Sequence, residues 1–67
     1  MNTISLDTVR VGDVIRFVED KSCGKIVSID KDESCLEVEC LDNQGHGHGI
    51  YFEVFEDEFD LYEKVSA

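Results

Sequence analysis

Gly49-Ile50-Tyr51-Phe52-Glu53-Val54-Phe55-Glu56-Asp57-Glu58-Phe59-Asp60-Leu61-Tyr62-Glu63-Lys64-Val65 holds most of the chain's aromatic residues and its densest run of acids. Within it Ile50, Phe52 and Val54 alternate with Tyr51, Glu53 and Phe55, the two-residue period of a strand with one face turned to a core. Glu56-Asp57-Glu58 reads as a tight solvated turn. Phe59 and Leu61 then return to the core, and a short last strand leads out through Tyr62, Glu63 and Lys64. Two strands hinged on an acidic turn predict an all-β fold.

Upstream, Leu36, Val38 and Cys40 alternate with Cys35, Glu37 and Glu39, the cleanest alternation in the sequence. The segment from Leu41 to Gly49 carries Gly45, Gly47 and Gly49 and cannot hold regular structure cheaply, which marks a hairpin loop. In Lys25-Ile26-Val27-Ser28-Ile29 the two isoleucines are three apart rather than two, the spacing of a bulged, bent strand. Gly24 ahead of them supplies either a positive φ or a close approach. Val11-Gly12-Asp13 is a turn that leads into a first strand with Ile15 and Phe17 on one face and Arg16 on the other. There is no proline, helical apolar period, internal repeat or linker. The expected strands lie near 10–18, 24–31, 34–42, 49–55 and 60–65, with a 3₁₀ turn at 56–59. The expected core is Ile15, Phe17, Ile26, Ile29, Leu36, Val38, Ile50, Phe52, Val54, Phe59 and Leu61. All 67 residues form one domain, with 1–8 as an N-terminal extension.

Val11-Gly12-Asp13-Val14-Ile15-Arg16-Phe17, Gly24-Lys25-Ile26-Val27-Ser28-Ile29 and Glu56-Asp57-Glu58-Phe59-Asp60-Leu61-Tyr62 resemble, in order and spacing, the SH3-like barrels of the Tudor and KOW type. The resemblance implies a small five-stranded barrel whose last strand is preceded by a 3₁₀ turn at Glu56–Phe59. It implies little about function, since this fold hosts many activities. The chain has no Trp, whereas peptide-binding SH3 domains present a Trp pair, and it is not basic as RNA-gripping KOW modules tend to be. A Tudor-type aromatic cage would draw on Tyr51, Phe55 and Tyr62.

Sixteen acids face six bases, for a formal charge of −10. Residues 1–32 hold six acids and five bases, whereas residues 33–67 hold ten acids and one base, Lys64, so nine of the ten net charges fall in the second half. Such a field disfavours direct contact with a nucleic acid, whose binding rests on Lys and Arg neutralising phosphates. It favours a basic protein surface as partner. If Ile50, Phe52 and Val54 face inward, then Tyr51, Glu53 and Phe55 face outward and join Glu37 and Glu39 on one outer sheet face. Glu56 and Asp57 follow directly. These seven residues form the candidate partner-binding surface.

Cys23, Cys35 and Cys40 are an odd number, and the N-terminus lacks the basic head and apolar run of a secretion signal, so a reducing cytoplasm is expected. No stretch reaches the apolar length of a membrane span. Cys35, Cys40, His46 and His48 have zinc-ligand chemistry, but Cys35 and Cys40 differ by an odd number and so point to opposite faces of a regular strand. Cys23 or Cys35 against His46 or His48 would be the only catalytic pairing, and nothing in the sequence orients such a base. The expectation is therefore a non-enzymatic acidic interaction module with no catalytic residue, cofactor or metal. The alternatives are an inhibitor that imitates nucleic acid to occupy the basic groove of a host or defence protein, and a zinc-binding regulatory module.

Overall fold

The computed structural model describes residues 4–42 and 44–65. Five strands, β1 (Val14–Phe17), β2 (Cys23–Asp30), β3 (Cys35–Leu41), β4 (Gly47–Phe55) and β5 (Tyr62–Lys64), are joined by turns and by a 3₁₀ helix, Glu56–Leu61, between β4 and β5. All pair antiparallel in one sheet of order β4-β3-β2-β1-β5. The all-β expectation holds, but the sheet is open, with β4 and β5 as its two edges. β1 becomes internal because β5 returns beside it, pairing Phe17 with Tyr62, Arg16 with Glu63 and Ile15 with Lys64. The Arg16–Glu63 pair is also an ion pair, with Nη2 to Oε2 at 2.7 Å.

The isoleucine spacing in β2 does mark a bulge. Ile26 pairs with Val38 and Ser28 with Glu37, so Val27 is the extra residue. The bulge keeps both Ile26 and Ile29 on the core side while bending the strand. One layer of apolar side chains then covers one face of the sheet: Ile15, Ile26, Leu36, Val38, Val54 and Phe59 are buried, with Ile29 and Phe52 packed against them. Ile4 and Val9 complete this core, so the segment ahead of β1 is part of it. That segment turns at Ser5–Thr8, where the Thr8 and Val9 amides both donate to the Ser5 carbonyl.

Three of the expected core residues, Phe17, Ile50 and Leu61, are not in the core. Ile50 is 60% exposed. Glu39 pairs with Tyr51 but Leu41 with Gly47, so His48, Gly49 and Ile50 together face the single residue Cys40. The chain loops out there, helped by Gly49 at φ +75°. Leu61 is 44% exposed because the turn anticipated at 56–59 runs on to Leu61 as a 3₁₀ helix. At three residues per turn Glu56, Phe59 and Tyr62 share one side, and Leu61 falls on another. Phe17 is only half-buried, at the end of the core.

Aspartates close the turns. Asp13 accepts from the Arg10 amide at 2.9 Å, Asp20 from the Ser22 amide at 2.9 Å, Asp30 from the Asp32 and Glu33 amides at 3.0 and 3.1 Å, and Asp42 from the Gln44 and His46 amides at 2.8 Å each. Each carboxylate satisfies backbone donors that the tight turn leaves without a partner.

Candidate functional site

The sequence places Glu37, Glu39, Tyr51, Glu53 and Phe55 on one face, and the register brings them together. Glu37 is directly opposite Glu53, Glu39 opposite Tyr51, and Cys35 opposite Phe55. Beyond Phe55 the Glu56 amide donates to the Ser34 carbonyl at 2.9 Å, which fixes the phase of the ladder. Hydrogen-bonded and non-hydrogen-bonded pairs alternate, so Leu36/Val54 and Val38/Phe52 are hydrogen-bonded and Glu37/Glu53 is not. The two glutamates thus occupy the closer type of pair, where opposed like charges destabilise by a few tenths to about 1 kcal/mol.

No compensating cation is paired with them. The ion pairs among the described residues are Arg16–Glu63 and Lys64–Asp13, and His46 Nδ1 lies 3.9 Å from Asp42 Oδ2. Lys25 stands opposite Glu39 across the β2–β3 ladder without an ion pair to it. Glu39 is half-buried and its carboxylate lies over Gly47, where any side chain would collide with it. Tyr51 and Phe55 are 54% and 41% exposed on β4. Glu56 and Asp57 are exposed in the first turn of the 3₁₀ helix, which continues directly from Phe55.

Cys35 lies on this face but is buried. Burial first, and then the carboxylates of Asp30, Glu53, Glu33 and Glu37, push its thiol above the ordinary cysteine value. The raised value disfavours the thiolate form that nucleophilic or metal-ligand chemistry uses. Among the described residues no three His, Cys, Asp or Glu side chains gather as a metal site. His46 and His48 lie exposed on either side of Gly47 at the loop end of β4, remote along the ladder from Cys35, which pairs with Phe55 at its other end.

A second feature is not legible in the sequence. Phe17, Asp20, Ser22, Cys23, Gly24, Cys40, Leu41, Phe52 and Tyr62 line an open pocket of about 280 Å³ at one end of the core. Phe17 and Tyr62 meet edge to face with centroids 5.2 Å apart. Burial leads the causes that raise the Tyr62 phenol above its ordinary value, with Glu58 and Asp20 adding to it. These residues converge only because β5 returns to β1, a pairing that no local spacing announces. Tyr62 packs against the core beside Phe17, whereas Tyr51 and Phe55 stand exposed on the outer face of β4, so these three aromatics do not form one cage. No helix among the described residues is long and apolar enough to cross a membrane.

A scan against protein-family models finds no match, and searches of curated proteins and of solved structures find none either.

Proposed function

We propose that the chain is a non-enzymatic, SH3-like interaction module of the cytoplasm that binds a basic protein surface through the outer face of β3 and β4. What supports the SH3-like reading is the antiparallel order with β5 beside β1 and the 3₁₀ helix leading into the last strand. The observation that carries the binding reading is the Glu37/Glu53 pair, set in the closer kind of cross-strand position with no cation paired to it among the described residues. Solubility alone needs acids somewhere on the surface but does not need two of them opposed at a cost in stability. The acids also divide by role. Asp13, Asp20, Asp30 and Asp42 hold turns and Glu63 pairs with Arg16, whereas the Glu37 and Glu53 carboxylates make no hydrogen bond or ion pair among the described residues. Tyr51 and Phe55 beside them supply exposed aromatic area of the kind that anchors protein contacts.

The test replaces Glu37, Glu39 and Glu53 together with Gln, which keeps size and removes three charges. A partner captured from lysate at low ionic strength should bind this variant more weakly and with a flatter salt dependence, because steering by the acidic face is lost. The melting temperature should hold or rise. Equal affinity and an equal salt slope for parent and variant would reduce the face to solvated surface. Displacement of the chain from that partner by duplex DNA would identify nucleic-acid mimicry as the mode of binding.

A further inference from the structure

β4 is an edge strand, and its outer edge is open where it matters. It is nine residues long against three for β5, and its irregularity is confined to His48–Ile50, which leaves Tyr51–Phe55 regular. The ladder phase turns the backbone groups of Phe52 and Val54 toward β3 and those of Tyr51, Glu53 and Phe55 toward the free edge. Of the three outward amides, that of Phe55 has a partner, the Glu58 carboxylate at 3.5 Å, and the Phe55 carbonyl opens the 3₁₀ helix, so the groups that face the free edge are those of Tyr51 and Glu53. The side chains on the same three residues are the exposed aromatics and the acid of the outer face.

We infer that this edge receives an extended segment of a partner protein as a sixth strand, with Lys or Arg at alternate positions. The inference rests on the proposed binding of a basic partner and adds how that partner is held. A strand paired here gives its own backbone groups to Tyr51 and Glu53 and sets alternate side chains beside Tyr51, Glu53 and Phe55. A cation at the position flanking Glu53 lies within cross-strand reach of it, with Glu37 one strand further in at about 10 Å, so it offsets the charge of the opposed Glu37/Glu53 pair chiefly through Glu53. The residues between fall on the core side next to half-buried Phe52, where β-branched apolar residues fit. A second copy of the chain is the wrong occupant. It would bring another β4 with its own Glu53, on a molecule of charge −10, against the same acids.

The experiment uses the unmodified protein and two fluorescent peptides, one alternating Lys with Val or Thr, the other identical but N-methylated on the amides of one edge. N-methylation keeps the charge and removes the donors for strand pairing. The plain peptide should bind in a salt-sensitive manner, and the methylated one about tenfold or more less tightly, the worth of a few lost backbone hydrogen bonds. Hydrogen exchange of the Tyr51 and Glu53 amides should slow only with the plain peptide. Equal binding of both peptides with no added protection at Tyr51 and Glu53 would overturn the added strand and leave the acidic face standing. Binding of neither at low ionic strength would overturn both readings. Protection of these amides in the peptide-free protein, together with sedimentation as a dimer, would assign the edge to a second copy and overturn the inference.

Discussion

Gly24 shows how much a single position can decide. It sits buried in β2, paired with Ile15 on one side and Cys40 on the other, and the space a side chain would take is filled by Val38 Cγ1, with the Glu39 carbonyl 3.3 Å and the Phe52 ring 3.6 Å from where a Cβ would stand. Of the two roles foreseen for this glycine, close approach is the one it has. Gly24→Ala should therefore destabilise by about 1–3 kcal/mol through overpacking, even though alanine is otherwise the gentlest change. Thermal melting would register this as a fall of roughly 4–8 °C for each kcal/mol in a domain of this size. An unchanged melting temperature would mean that Val38 can swing aside freely. Residue-scale reading succeeded where alternation was unbroken, as for Leu36, Val38, Phe52 and Val54. It failed at Ile50, whose parity is correct but whose place in a three-against-one bulge depends on Cys40 across the ladder. No count along one strand contains that information.

Between the strands, the 3₁₀ helix Glu56–Leu61 is the element that carries the chain from one edge of the sheet to the other. Phe59 is its buried anchor, and Leu61, though equally apolar in sequence, is turned outward. Phe59→Ala should cost about 3–5 kcal/mol, as for other buried aromatics. Leu61→Ser should stay within about 0.5 kcal/mol, as for surface substitutions. Urea midpoints for the two variants decide between them, and similar losses would show that Leu61 packs after all. The element's existence was legible from the acidic run before Phe59, but its length was not, because a strand and a 3₁₀ turn differ at Leu61 only in where a two- or three-residue period places it. The seven candidate residues divide the same way. Alternation sufficed to gather Glu37, Glu39, Tyr51, Glu53 and Phe55, whereas Glu56 and Asp57 belong to the helix start and adjoin the face only through Phe55.

Across the whole molecule, the acids fall in two kinds of place, turns and the outer face of the sheet. Asp13, Asp20 and Asp42 all lie below the ordinary carboxylate value of 3.8, each chiefly because turn donors prefer the ionised form: the Arg10 amide at Asp13, Ser22 at Asp20, and the His46 amide at Asp42. A carboxyl group whose value is depressed on folding stabilises the fold above its unfolded value and loses that contribution as pH falls through the folded one. The three aspartates should therefore contribute fully at neutral pH and progressively less below about pH 4. Asn at all three positions keeps an acceptor oxygen but no charge. The gap in urea midpoint between parent and this triple variant should be widest near neutrality and shrink in acid, and a gap independent of pH would reject the assignment. None of this was visible in the net charge, which cannot distinguish an aspartate closing a turn from a glutamate left on a face.

The return of β5 to β1 has a consequence for how the protein comes into being. β1 to β4 form a meander in which each strand can pair with the one made just before it, whereas β1 waits for partners at Tyr62, Glu63 and Lys64, far along the chain. Such distant pairings are slow to close because the intervening loop must be ordered before they contribute. Until that pairing closes, β1 and β4 are the bare edges of any sheet the first four strands form, and the Arg16–Glu63 ion pair and the Phe17–Tyr62 contact act as a latch that only the C-terminal segment can fasten.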